Sequence, residues 1–136
     1  MFVEMAKTKP FRMGPLKDEA FVRIAVGKAE AIIAAARSFL FQTLEIMWEV
    51  LINGDTLQSG LRRQFRIMVK KVCDDCMKVI DMLYHTAGAS VVYEDHPLYR
   101  CFLDAHTAYQ HVILLDNVYE EAGQHIFEER VAAPFF

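Results

Sequence analysis

The chain has 136 residues, with 15 Lys and Arg against 18 Asp and Glu for a net charge of −3. That is one domain's worth of chain, and it lacks the basic surplus that electrostatic nucleic-acid binding requires. Apolar residues at 54% and charged residues at 24% exclude a disordered polypeptide.

Residues 1–16 read as an N-terminal loop, because Pro10, Gly14 and Pro15 cannot continue a helix. From about Asp18 to Ile52 there is no proline and no strict alternation, so one long helix is expected. One apolar stripe runs Val22, Val26, Ala29, Ile33, Ala36, Leu40, Leu44, Met47, Leu51; a second runs Phe21, Ala25, Ile32, Ala35, Phe39, Ile46, Val50. A helix apolar on so broad a face needs neighbours on two sides. Asn53 and Gly54 close it with residue types that tolerate a left-handed cap.

A second helix is expected from about Leu57 or Gly60 to Thr86, with its seam along Leu61, Phe65, Met68, Val72, Cys76, Val79 and Leu83. Arg62, Arg63, Arg66, Lys70, Asp74, Lys78 and Asp81 lie off that seam and read as a solvated face. Ala87 to Ser90 end this helix, and Pro97 sits where a first-turn proline belongs. A third helix is then expected to run to about Ala122 with Gly123 as its cap, followed by a tail over residues 124–136. The fold class is therefore all-α: an antiparallel up-and-down bundle of three long helices, occupying residues 17–123.

No apolar run of signal-peptide length opens the chain, and no stretch of about 18 uncharged apolar residues offers a membrane span. Three cysteines fit a reducing compartment, so a cytoplasmic chain with neither membrane nor nucleic-acid partner is expected. Cys73 and Cys76 have metal or redox spacing, but they fall mid-helix with no second pair, and they read as core cysteines. His106 and His111, five residues apart, stand about 140° around a helix from each other, so no metal site is expected. Arg100, Asp104, Thr107 and His111, at steps of four, three and four, fall on one stripe of the third helix. His111 on that stripe reads either as an acid or base lining a cleft or as a histidine satisfied at a helix contact.

Lys28 to Leu40 resembles the long second helix of the acyl-CoA dehydrogenase C-terminal domain. His85 to Ser90, Pro97 to Arg100, Asp104 to His106, and Gln110 with His111 resemble its later helices, closest to the branch of flavin-dependent hydroxylases and monooxygenases. The resemblance implies a flavin, FMN or FAD, in the intact enzyme, a homo-oligomer, and a flavin reductase partner. It implies His111 as the catalytic acid/base, with Gly88, Ala89, Ser90 and Arg100 on the cofactor side. The first helix of the family's bundle is missing, because Met1 falls near where that helix ends. Leu103 stands where the family's Arg-x-x-Arg-Asp motif has its second arginine. Two other readings stand beside this one: a non-catalytic helical oligomerisation or interaction module, and a domain of an acyl-CoA dehydrogenase.

Overall fold

A computed structural model describes residues 1–12, 14–93 and 95–127. Helix α1 (Phe2–Thr8) leads into a short antiparallel pair, β1 (Pro10–Phe11) and β2 (Gly14–Pro15), in which Phe11 faces Gly14. A 3-10 turn over Leu16–Asp18 then hands the chain to α2 (Ala20–Ile52), α3 (Ser59–Ala87), α4 (Pro97–Tyr109) and α5 (Asn117–Ile126). The architecture is all-α, as the periodicity predicts. Helix α3 is central: α2 lies along it, and it also carries α4 and α5. None of the described helices is long and apolar enough to cross a membrane.

Helix α2 turns Val22, Ala25, Ala29, Ala36 and Thr43 inward, and all five are buried. Their steps of three, four and seven keep them on one helix face. Alanine at three of these places lets the backbones of α2 and α3 approach closely. Much of the remaining apolar surface of α2 is bare: Phe21, Ile24, Ile33, Phe41, Leu44, Trp48 and Leu51 are exposed.

The N-terminal residues depart from the loop expected over 1–16. Phe2 and Ala6 of α1 are buried with Leu16, Val22, Ala87 and Val91, and Met5, Phe11, Val26, Leu83, Tyr84 and Leu98 pack around them. A short amphipathic helix of about two turns thus closes one end of the bundle, a tertiary effect that Pro10 and Pro15 do not reveal. The same segment satisfies the end of α3, where the Lys9 ammonium donates to the Ala87 carbonyl.

The third long helix also departs from expectation, because it is broken. Helix α4 stops at Tyr109, a 3-10 turn occupies Val112–Leu114, and α5 begins at Asn117. Gly123 is therefore an interior residue of α5 and not a cap. The break falls where the β-branched pair Val112 and Ile113 meets Asp116 and Asn117, residue types that favour turns over helix interiors. Of the tail expected over 124–136, α5 takes residues up to Ile126, and positions 128–136 lie outside the described residues.

Candidate functional site

The break removes His111 from the helical stripe on which the spacing placed it. Arg100, Asp104 and Thr107 lie exposed on α4, whereas His111 has extended backbone beyond its end. The Nδ1 of His111 accepts the Ile113 amide N–H at 3.3 Å, so the imidazole opens the 3-10 turn as a side-chain cap. His96 performs the same task at the other end of α4, where its Nδ1 accepts the Leu98 N–H at 3.1 Å beside Pro97. An accepting Nδ1 puts the proton of the neutral ring on Nε2. His111 thus presents an Nε2–H from an exposed loop, positioned by its own main chain.

The Gly88, Ala89, Ser90 and Arg100 group lies toward the opposite end of α4. Gly88 is the C-cap of α3 with φ 73°, a left-handed backbone that favours glycine, and Ala89 to Val91 form a 3-10 turn. Val91 is completely buried, which anchors the turn, while Gly88 and Ala89 face solvent. A Cβ placed at Gly88 would meet nothing within 4 Å, so nothing in the chain packs over this backbone. Arg100 is exposed and, among the described residues, forms no ion pair with Asp104. The 13 residues of α4 separate Arg100 and the glycine turn from His111 by up to roughly 20 Å. These residues offer an open turn at one end and a histidine at the other. They do not by themselves enclose a flavin.

The residues that the structure does bring together centre on Lys70 and Asp74, two positions whose spacing reads as a solvated face of α3. Lys70 is only 3% exposed. Its Nζ donates to Asp74 Oδ1 at 2.5 Å and to the Tyr109 hydroxyl at 2.7 Å, and lies 3.0 Å from Asp116 Oδ1. The Tyr109 hydroxyl donates to Asp74 Oδ1, and the Tyr119 hydroxyl donates to Asp74 Oδ2 at 2.8 Å. The Lys70 ammonium also lies 5.0 Å from the centre of the Tyr109 ring and 5.7 Å from that of Tyr119. One turn of α3 thus binds the end of α4, the loop after it and the start of α5. Nearby, Arg66 Nη1 donates to Glu121 Oε2 at 2.5 Å, a second tie from α3 to α5.

Electrostatics follow from this arrangement. Burial alone would lower the Lys70 ammonium, but its bonds to Asp74, Tyr109 and Asp116 raise it well above the ordinary lysine value. Burial alone would raise the Asp74 carboxyl, yet Lys70, Tyr109 and Tyr119 together hold it below the usual range. Burial, and then the hydrogen bond to Asp74, push the Tyr119 hydroxyl up to about 12. Around neutral pH the node is a lysinium and a carboxylate with two neutral phenols.

A groove of about 650 Å³ opens beside this node, lined by Lys70, Asp74, Asp81, His106, Tyr109 and Asp116 among others. His106 Nε2 is 2.9 Å from Asp81 Oδ1, and its ring lies 4.2 Å from Phe102, which in turn stacks at 4.2 Å on Tyr84. The cysteines differ from the core positions expected: Cys73 is half-buried and Cys76 exposed. Burial pushes the Cys73 thiol up, the opposite of activation. The stretch from Cys73 to Cys76 matters instead for Asp74 between them. Its four-residue spacing from Lys70 is visible in the sequence; the tyrosines that complete it are not.

This layered arrangement of helices is matched by known proteins. Residues 1–115 match the family described as acyl-CoA dehydrogenase, C-terminal domain. The chain belongs to this family. It is similar to an indole-3-acetate monooxygenase of Pseudomonas putida, 29% identical over 112 residues that make up 82% of this chain and 29% of the relative. It is also similar to a pigment production hydroxylase of Rhodococcus erythropolis, 30% identical over 98 residues, 72% of this chain and 25% of that protein. The chain therefore spans between a quarter and three tenths of the length of these curated relatives. Among solved structures, a 3-HSA hydroxylase from Rhodococcus sp. RHA1 superposes with a TM-score of 0.86 at 23% identity, over 97% of this chain and 35% of that one. XiaF from Streptomyces sp., solved in complex with FADH2 and glycerol, superposes with a TM-score of 0.85 at 23% identity, over 98% and 35%.

Proposed function

We propose that these residues serve as the C-terminal helical domain of a reduced-flavin-dependent hydroxylase that inserts oxygen into an aromatic or polycyclic substrate. The observation that carries this reading is the match of residues 1–115 to the family, joined to relatives named as a monooxygenase and a hydroxylase. The named FADH2 complex of a structural neighbour supports flavin as the cofactor class, FMN or FAD. Bound together with residues outside this chain, the flavin supplies the oxygen chemistry. The open turn at Gly88, Ala89 and Ser90, with Arg100 beyond it, lies along one edge of the flavin site. His111 is the acid/base, holding its transferable proton at Nε2 while Nδ1 is occupied by the Ile113 amide. A flavin reductase supplies the reduced cofactor, and the assembly is a cytoplasmic homo-oligomer that covers the bare face of α2.

The test is His111→Ala in the full-length protein, supplied with chemically reduced flavin. Loss of a positioned acid/base should lower the hydroxylation rate on the order of 10²- to 10⁴-fold. Hydroxylation at the unsubstituted rate would remove His111 from the chemistry. A second reading, a helical interaction module without catalysis, is favoured by Leu103 in place of the motif arginine and by the separation of His111 from the glycine turn. It predicts a stable oligomer of the full-length protein that takes up no reduced flavin.

A further inference from the structure

The polar node on α3 takes no part in the function proposed above, yet its geometry brackets one segment. Tyr109 is the last residue of α4 and Tyr119 lies in the first turn of α5, so the segment between them is the one that carries His111. Both hydroxyls donate to the same side chain, Tyr109 to Oδ1 of Asp74 and Tyr119 to Oδ2. Two donors on two different oxygens fix the plane of the carboxylate as well as its position. Lys70 completes the frame from beneath, bonding Asp74 and Tyr109 and reaching Asp116 inside the segment. Positions 109, 116 and 119 therefore converge on a single turn of α3.

Apolar burial does little to hold this segment. Val112 is 70% exposed and Leu115 53%, so their side chains gain little from packing. Directional bonds to a charged group must do what burial does not, and such bonds are individually stronger than neutral ones.

We propose that Asp74 is the positioning residue for His111, clamping both ends of its loop to α3 through Tyr109 and Tyr119. The inference rests on the reading of His111 as the acid/base. Asp74 touches no reacting atom in it and acts through the loop. A carboxylate is required because an amide in its place would offer one acceptor oxygen to two phenols and an ammonium.

The experiment compares Asp74→Asn with the unsubstituted full-length protein, 15N-labelled and without substrate. Two readouts are taken: exchange of the Ile113, Leu114 and Leu115 amides, and the two ring nitrogen resonances of His111. With the clamp cut, exchange in the segment should speed up by about ten- to hundredfold while α2 stays protected. The ring nitrogens should move together, toward the tautomer average of an imidazole whose Nδ1 has lost its fixed donor. Unchanged exchange and unchanged ring resonances would overturn the proposal. If Asp74→Asn also loosens α2, the decision passes to Tyr119→Phe, which removes one bond at an exposed position and should give the same ring signature in smaller degree. Its absence there would equally overturn the clamp. In the hydroxylation assay, Asp74→Asn should lower kcat with KM unchanged. Full activity of His111→Ala would reject the acid/base reading alone, since exchange and ring resonances judge the clamp without turnover.

Discussion

Helix α4 is fastened at its two ends by different chemistry. At the Pro97 end, Leu98 packs against a cluster of Phe2, Ala6, Leu16, Val22, Ala87 and Val91, an apolar plug assembled from α1, α2, α3 and two 3-10 turns. At the Tyr109 end, the phenol of α4 itself is bound to a lysine and a carboxylate of α3, and a second phenol from α5 shares that carboxylate. Burial of apolar area has no direction and is indifferent to pH, so the first end sets how firmly α4 is held. Hydrogen bonds to a buried ion pair are directional, so the second end sets where the following loop lies. The same division of labour appears in the two histidine caps: His96 opens a helix anchored in the core, and His111 opens a turn in solvent.

The comparison can be broken most forcefully at the apolar end. Leu16 is 1% exposed, and Leu16→Ala should cost about 2–5 kcal/mol of unfolding free energy by urea titration. A loss below 1 kcal/mol would mean that the plug carries little of the stability. At the polar end, Asp74→Ala leaves buried Lys70 with only Asp116 and Tyr109. It should cost about 2–3 kcal/mol, less than a fully orphaned buried charge because those partners remain. An indifferent Asp74→Ala would make the node ornamental.

A pH titration sharpens the contrast without mutation. The folded Asp74 carboxyl is held below its unfolded value, so its contribution is present above the ordinary carboxylate range and is lost as pH falls through about 4 and below. Tyr119 is raised to about 12, so its contribution is full below about pH 10 and is lost as pH climbs toward about 12; Lys70 is raised as well, and its contribution too falls only as pH rises beyond the ordinary lysine range. The groups facing this node are Lys70 and Asp74 on α3, Tyr109 on α4, Asp116 in the loop and Tyr119 on α5. Amide exchange should show α5 and the His111 loop opening at both extremes before the Leu16 cluster does; simultaneous opening would contradict the division. The smallest effect is expected at the turn joining α3 to α4. Gly88→Ala meets no clash but forces alanine to φ 73°, for a loss of roughly 1 kcal/mol in thermal unfolding.

The apolar seams of α2 and α3 were largely legible from sequence, whereas the α1 part of the apolar end and the whole polar end were not, for a physical reason. Periodicity reports which helix faces are apolar, and Val22, Met68 and Val79 lie where their stripes put them. It reports nothing about a helix that stops. A continuous helix would hold Tyr109 and Tyr119 about 15 Å apart along its axis, beyond the reach of one carboxylate. The break at Gln110 to Asp116 folds that distance away, bringing both phenols to Asp74 and taking His111 off its stripe. Lys70 misleads in the same manner. A lysine off the apolar seam reads as solvated, and only partners from two other elements make its burial tolerable. Gly88, whose left-handed backbone has a direct residue signature, was visible from the start.

The chain has a single tryptophan, Trp48, and it stands 66% exposed on the bare side of α2. Its indole is a built-in optical gauge. Left in water it fluoresces at long wavelength. Any helix, subunit or domain that seats itself against Phe41, Leu44 and Leu51 must shift that emission to the blue in proportion to the fraction covered. Dilution of the full-length protein would therefore read the occupancy of this face directly, with no label and no knowledge of the occupant.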